Sequence, residues 1–384
     1  VANPPLAGIR VLELGSFIAG PSAGRILADL GAEVFKIEPP EGDDLRTWST
    51  PAPDGTSWWF KSHNRNKRLL CFDLHQERDR AIVREVALRC DVVLENFRPG
   101  RMAQWGLGAE ELRAARPELI YVSISGYGQD GPYAARPGFG NIAEAMGGLR
   151  YITGFPDGPP LRIGISIGDE LAGMNAAIGV LGALLGRQRD GKGDRVDVSL
   201  IESCSSLLEG ALPEYKATGK IRERDGNRIA ITAPNNVYPT KDGKWFAIGA
   251  NAPSVFRRFC ALIGQPALCE DPRFRDNQAR TANIEELDRI VEAWTREHDA
   301  AEISAALAGA GVPAGPVYSI ADICEDPQFR ARGAIAEIRD SAGTVVATYG
   351  LIPKFSEHVT QLRHAAGRLG EDTAAVLREL GIDG

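Results

Sequence analysis

The sequence predicts an α/β protein with a mostly parallel sheet, joined to a smaller α+β domain. Three observations predict it. Short apolar runs alternate with helical patterns from about residue 9 to residue 200, as a parallel sheet covered by helices requires. The texture then changes at GKIRERDGNR (219–228), a polar, glycine-containing stretch of linker character. The chain also has 384 residues, more than one hydrophobic core usually serves.

The elements follow in order. Residues 9–14 read as a strand, Pro21 to Gly31 as a helix with Ile26, Leu27 and Leu30 on one face, and 32–38 as a second strand. Gly31 is the helix stop, because glycine tolerates the left-handed turn that ends a helix. Strand, helix and strand within about 30 residues make a βαβ unit. LLCFDL (69–74), a helix over 78–89, DVVLEN (91–96), a short helix over 110–116 and LIYVSISGY (119–127) continue the alternation. Residues 128–168 are rich in Gly and Pro, and a loop of that length is usually functional or disordered. A long apolar helix over about 170–188, a strand at 195–200 and a helical stretch at 201–218 close the first domain. The second domain opens on a hairpin turning at Asp242-Gly243 and continues with helices near 253–263, 281–297 and 300–310. A further hairpin (336–350) and a terminal helix (371–380) end the chain. The domain expectation is therefore 1–218, 219–330 and a C-terminal segment, 331–384.

Composition excludes several classes. Apolar content is 43% and charged content 25%, as in ordinary globular proteins. The formal net charge is −7, so no nucleic-acid partner is expected, because that would need a basic surface. The six cysteines form no CxxC pair and none sits near a His at ligand spacing, so no metal site is expected. Scattered cysteines read as reduced thiols of a cytoplasmic protein. No leader pattern is visible at Val1 to Arg10, although no Met opens the chain. The longest apolar stretch, Leu171 to Gly186, falls short of the roughly 20 residues of a membrane span. It reads as a buried core helix, and no membrane partner is expected.

Each candidate site also has a plainer role. Gly15, Gly20 and Gly24 follow the first strand and Glu38 ends the second, which invites a dinucleotide-binding reading. The spacing is not G-x-G-x-x-G and Pro21 occupies the turn, so a tight βα turn is the better reading. KSHNRNKR (61–68) and NFRPGR (96–101) are local basic exceptions in an acidic chain, beside strand ends where ligands bind. Arginine clusters there would suit phosphates; the plain reading is a solvated charge run. Asp169 begins the apolar helix after Gly164 and Gly168. Alone it reads as a helix N-cap, but a carboxylate in a glycine-flanked loop can also act as a covalent nucleophile. Glu170 and Asp157 lack that combination. The five His residues (His63, His75, His298, His358, His364) fall in no nucleophile elbow or HExxH pattern and read as surface or packing residues.

The residues also carry a family likeness. VLELGSFIAGPSAGRILADLGAEVFKIEPPEGDDLR (11–46), NRNKRLLCFDL (64–74), DVVLENFRPG (91–100), SGYGQDGPYAARPGF (125–139) and IGDELAGMNAAIGVLGALL (167–185) resemble class III, CaiB/BaiF-type CoA-transferases. GVPAGPVYSI (311–320) and IPKFS (352–356) add to the likeness, which runs nearly end to end. The resemblance implies a Rossmann-like large domain threaded through a smaller one, a C-terminal segment returning to the large domain, and two subunits interlocked as a ring-like homodimer. It implies acyl-CoA and carboxylate substrates, with the CoA thioester as substrate and no separate cofactor. It makes Asp169 the catalytic carboxylate. It places CoA near Phe17 and Ile18, Phe72, Asp73, Leu74 and His75, Asn96, Phe97 and Arg98, with Arg101, Gln104, Arg136 and Phe139 completing the site.

Departures accompany the likeness. Gln104 stands where relatives often have a basic residue, with Arg98 or Arg101 as substitutes, and Gly140 stands where they often have an acid. The poly-glycine lid of the formyl-CoA enzyme is replaced by AITAPNNVYPT (230–240), which argues against formyl-CoA and oxalate. The 2-methylacyl-CoA racemases share the fold but need a His where GFGNIA (138–143) has Phe139, so a two-base proton exchange is disfavoured. Arg46, Arg162 and Tyr127 are candidates to meet a second substrate carboxylate, and a succinyl-CoA donor is an expectation from the family.

Overall fold

A computed structural model describes residues 3–229 and 231–383. Six strands build the main sheet: β1 (Arg10–Leu14), β2 (Glu33–Glu38), β3 (Lys67–Cys71), β4 (Val92–Glu95), β5 (Ile120–Ser125) and β6 (Arg195–Ser199). All neighbouring pairs are parallel. The order is β3-β2-β1-β4-β5-β6. That is the doubly wound arrangement, in which the chain leaves the sheet centre in opposite directions from β1 and β4.

Side chains of a strand alternate between faces. Val11, Val34, Val92, Leu94, Val122 and Ile124 therefore join one core. Leu12, Phe35, Leu70, Val93 and Tyr121 join the other. Helix α1 (Ala19–Asp29) covers the first face together with a long helix over Ile167–Asp190. The two helices touch closely, since a Cβ on Gly173 would stand 2.7 Å from Ser22 Cβ. Val83, Val86 and Ala87 from a helix over Glu77–Ala87 cover the second face, with Val376 and Leu377 from a terminal helix over Thr373–Leu380. Gly31 ends α1 at φ +102°.

The long helix is not buried all round, as the sequence reading had it. Its outer side exposes Met174, Ile178 and Leu185, with Ile178 at 63%. By length and composition it could cross a membrane. One side nevertheless packs on α1, because its small residues Ala172, Ala176 and Ala177 face the sheet core.

The chain divides into two units. The larger holds residues 1–149, 162–220 and 328–384, and the smaller holds 150–161 and 221–327. Segment 150–161 thus groups with the smaller unit rather than with 1–218, and it does so through its own contacts: Tyr151 Oη donates to Glu223 at 2.7 Å. The smaller unit carries an antiparallel sheet of β7 (Asn235–Pro239), β8 (Trp245–Gly249) and β9 (Ala314–Pro316). Phe259, Val291, Ile303 and Leu307 pack its helices onto Tyr238, Phe246 and Ile248. The Asp242-Gly243 turn joins β7 to β8, with Gly243 at φ +75°.

Three charges on the first face of the sheet have fully dehydrated side chains. Glu13 of β1 meets Lys36 of β2 at 3.2 Å and Lys67 of β3 at 2.7 Å. Gly24 of α1 leaves the room for Glu13, since a Cβ there would lie 1.8 Å from its Oε2. The structure therefore predicts that Gly24→Ala lowers stability by roughly 2–4 kcal/mol through overpacking and a disturbed buried ion pair. Urea unfolding measures this, and an unchanged midpoint would contradict it.

Candidate active site

A cavity of about 280 Å³ opens where β1 and β4 diverge, the place where doubly wound sheets bind ligands. Ser16, Phe17 and Ile18 line it from the loop after β1, Asn96, Phe97 and Arg98 from the loop after β4, and Asp169 from the long helix. A second cavity of about 280 Å³ adjoins it, sharing Ser16 and Phe97 and lined by Phe72, Asp73, Leu74, His75 and Trp105. The two make one trough along the strand ends.

The loops are held by backbone bonds. Asn96 Oδ1 accepts from Ser16 N–H at 3.0 Å, and Asn96 Nδ2 donates to Ser16 O at 3.0 Å. A Cβ on Gly15 or Gly20 would crowd Asn96 at 3.3 or 3.2 Å. These glycines therefore make a close turn, as the broken fingerprint suggested. Phe17 sits at φ +61°, a left-handed conformation costly for a bulky residue. Its N–H donates to Asp43 Oδ1 at 3.2 Å, and Asp43 is itself fixed on Lys36 at 2.9 Å. Phe97 N–H donates to the buried Glu95 at 2.8 Å.

Asp169 is the third residue of the long helix, not its N-cap; Ser166 occupies the cap without a side-chain bond. The half-buried carboxylate lies against Gly140, where a Cβ would come within 2.0 Å of Oδ2. An acid at 140 would therefore collide with Asp169 as it stands, which accounts for the glycine. Burial first, then the neighbouring Glu144 and Glu170, push the Asp169 carboxyl up to about 6, while Arg162 opposes them. The helix-dipole argument alone gives the opposite direction. A macrodipole contributes about 0.3–1 kcal/mol, and dehydration with two nearby carboxylates exceeds that. At neutral pH the group remains mostly ionised.

Most expected site residues meet here. Phe17, Ile18, Asn96, Phe97, Arg98, Arg136 and Phe139 line the Asp169 cavity. Phe72 to His75 line the adjoining one. Asp73 there also caps its turn, accepting from His75 N–H at 2.9 Å. Arg101 and Gln104 line neither: Arg101 donates to Gln104 at 3.3 Å and lies over the Trp105 ring at 5.4 Å. Phe139 packs edge-on to Phe17 at 6.4 Å, so the position that a racemase would need for an imidazole holds a phenyl ring.

Two basic readings are corrected. Lys61, Arg65 and Lys67 of the 61–68 cluster are neither solvated nor free for phosphate, because each is buried on carboxylates. Lys61 meets Asp340 and Asp54 at 2.7 Å, Arg65 meets Asp29 at 2.6 Å, and Lys67 meets Glu13. The first three residues of the cluster also belong to a helix, Trp58–His63. Glu38, placed where a ribose acid would stand, holds Arg46 in a fork at 2.6 and 2.7 Å. His63 is a buried packing residue whose Nε2 meets Ile18 O at 3.3 Å. Glu170 is held by Ser22 at 2.5 Å and Arg25 at 3.4 Å.

The aromatic wall was missed. Trp48 stacks near Phe17 at 5.2 Å and Trp59 at 6.3 Å. Trp105 stands edge-on to Phe97 at 5.2 Å and to His75 at 6.0 Å. This second group makes a flat-walled slot suited to a planar heterocycle. The density of Trp and Phe at 48–60 was a sequence signal for the first group, and Trp105 stands apart from it.

A doubly wound sheet with a half-buried carboxylate at its switch point is a ligand-binding α/β architecture. The chain matches the model "CoA-transferase family III" over residues 6–373. It is 46% identical over 98% of its length to the succinyl-CoA–D-citramalate CoA-transferase of Chloroflexus aurantiacus, covering 94% of that protein. It is 37% identical over 98% to the succinate–glutarate CoA-transferase of Agrobacterium fabrum, covering 96% of it. A solved CaiB/BaiF family protein from Brucella suis superposes with a TM-score of 0.87 at 38% identity, over 98% of this chain and 100% of that one. The chain belongs to CoA-transferase family III, the CaiB/BaiF type, and is a CoA-transferase.

The raised Asp169 carboxyl carries a stability consequence. Its folded value, about 6, exceeds the unfolded value of about 4, so ionisation opposes folding. The penalty is full above about pH 6 and absent below about pH 4. Asp169→Asn should therefore raise stability by about 1–2 kcal/mol at pH 7, allowing for partial exposure. The gain should vanish at pH 4, and thermal unfolding at the two pH values checks it.

Proposed function

We propose that this CoA-transferase moves CoA from succinyl-CoA to a second carboxylic acid, with Asp169 as covalent nucleophile. One observation carries the reading. A mostly ionised, half-dehydrated carboxylate faces a cavity at the strand ends, continuous through Ser16 and Phe97 with an aromatic slot. The trough suits an extended CoA thioester, its heterocycle in the slot and its sulfur near Asp169. The succinyl donor is supported by the names of the relatives from Chloroflexus and Agrobacterium.

The chemistry follows by steps that balance. An Asp169 oxygen attacks the thioester carbonyl and expels CoA thiolate, leaving a mixed anhydride. The thiolate attacks the aspartyl carbonyl, freeing succinate and forming an aspartyl-CoA thioester. The acceptor carboxylate attacks that thioester and again expels thiolate. The thiolate then takes the acceptor acyl group and restores the Asp169 carboxylate. Covalent catalysis divides one difficult exchange into easier ones. Water must be kept from the anhydrides, which the walls of Phe17, Trp48 and Phe139 favour. Arg98 and Arg136 would hold CoA oxygens, with Arg101 and Gln104 at the rim.

We also propose a homodimer in the cytoplasm. The exposed apolar side of the long helix, with Met174, Ile178 and Leu185, is a face that a second copy would cover.

Mass spectrometry with succinyl-CoA and a panel of acids tests transfer. The wild type should accumulate an adduct equal to CoA less one water when no acceptor is present, and Asp169→Ala should form neither adduct nor product. Transfer that persists in Asp169→Ala would falsify the nucleophile. Gly140→Ala should lower kcat roughly 100-fold, because its methyl displaces the carboxylate from its reacting position. The pH profile of kcat/KM for succinyl-CoA should fall tenfold per unit below about pH 6, since only ionised Asp169 attacks. Glu144→Gln should move that limb to lower pH by removing a like charge.

A further inference from the structure

Beside the Asp169 cavity lies a larger one, about 660 Å³, lined by Arg25, Arg65, Arg162, His63 and Glu170. Glu170 is the chain neighbour of Asp169, and residues 163–166 of the same wall lead directly into its helix. Arg162 of this wall stands close enough for its charge to act on the Asp169 carboxyl, which puts the wall beside the reacting group. The cations of this wall differ. Arg65 is 3% exposed and grips Asp29 with two nitrogens, at 3.2 and 2.6 Å. Arg25 is drawn back onto Glu170 and Asp29. His63 is buried, and dehydration together with Lys67 and Arg25 keeps it neutral. Arg162 alone of these groups keeps 45% of its side chain exposed, and it meets Glu144 at 3.3 Å. A guanidinium has five N–H donors, so an exposed edge can take a second carboxylate without giving up the first.

The other two candidates for a far carboxylate are excluded by their contacts. Arg46 is forked on Glu38, also donates to Gly367 O at 3.1 Å, and lies over the Phe60 ring. Tyr127 points its hydroxyl at Met146 Sδ, 3.5 Å away.

We propose that Arg162 binds the distal carboxylate of a dicarboxylic acid in this cavity and so selects dicarboxylates over monocarboxylates. The inference rests on the transfer reaction at Asp169. Glu144 is the resident counter-ion that holds the guanidinium in place between substrates. The pair thus fixes Arg162, and both of its members act on the Asp169 carboxyl beside the larger effect of burial.

The test compares glutarate with valerate, acids of equal chain length, as acceptors from succinyl-CoA. In a ping-pong exchange the donor half-reaction cancels from the ratio of the two kcat/KM values. Arg162→Gln should lower the glutarate-to-valerate ratio about tenfold or more, the worth of one charge-assisted hydrogen bond. Arg162→Lys should recover part of it. Where valerate turnover is too slow to follow, the inhibition constants of the two acids against succinyl-CoA give the binding preference, which Arg162→Gln should lower in the same direction. Glu144→Gln combined with Arg162→Gln removes the uncompensated buried charge and separates misfolding from lost selectivity. In that double variant the ratio should stay low while thermal stability recovers. An unchanged ratio in a folded Arg162→Gln protein overturns the proposal. Absence of any transfer by the wild type would instead overturn the Asp169 reaction on which it stands.

Discussion

The Lys36 ammonium is the point from which the site is built. It is wholly dehydrated, and its protons reach Glu13 at 3.2 Å, Asp43 at 2.9 Å and Gly15 O at 2.6 Å. These partners come from β1, from the loop after β1 and from the loop after β2. One cation thus fixes the spacing of both loops at the mouth of the sheet. Its acidic neighbours raise its basicity well above that of a free lysine, so it stays charged at any working pH. Lys67, on the other oxygen of Glu13, is lowered to about 8 by burial. Such a cluster contributes little net stability compared with apolar packing. What it supplies here is position: an apolar substitute would fill the volume and leave Asp43 Oδ2 without its cation.

From Asp43 the constraint passes outward. Asp43 accepts the Phe17 N–H and so holds a left-handed phenylalanine in place. Phe17 in turn supports Trp48 and Phe139. The aromatic groups beside the Asp169 cavity thus rest on backbone geometry set by buried charge. On the opposite side Asn96 ties the loop after β4 to Ser16. The switch point is held by polar contacts on both sides, and apolar packing of α1 against the long helix supports it from below.

Much of this was legible in the sequence, and the limits have physical causes. The alternation of apolar runs with helical patterns marked every strand of the main sheet, because strands covered on both faces are mostly apolar. Gly31 and Asp242-Gly243 marked real turns, since positive φ selects glycine. The stretch 128–168 read as loop but contains a helix at Gly140–Met146, hidden because its small residues carry little periodic signal. The cluster at 61–68 misled for a different reason. Charge on a sequence gives no hint of a partner, and Asp340 lies 279 residues from Lys61. The Asp169 position was legible, but its elevated basicity was not. Burial is its first cause and Glu144 the next, with Arg162 opposing them, and these arise only when the loop folds back.

That electrostatic setting resolves a conflict in the proposed chemistry. A carboxylate nucleophile must be ionised, yet full hydration would blunt it. Burial and two carboxylates dehydrate and repel the charge, and the helix terminus and Arg162 keep it from being neutralised by a proton. The balance near 6 leaves Asp169 ionised at neutral pH but more basic than a free aspartate, and nucleophilicity rises with basicity. If Arg162 also takes a substrate carboxylate, its field at Asp169 weakens at the moment the acid binds. The nucleophile then becomes more basic when its partner is in place. One guanidinium would couple recognition of the far carboxylate to reactivity at the near one, without any movement of the fold.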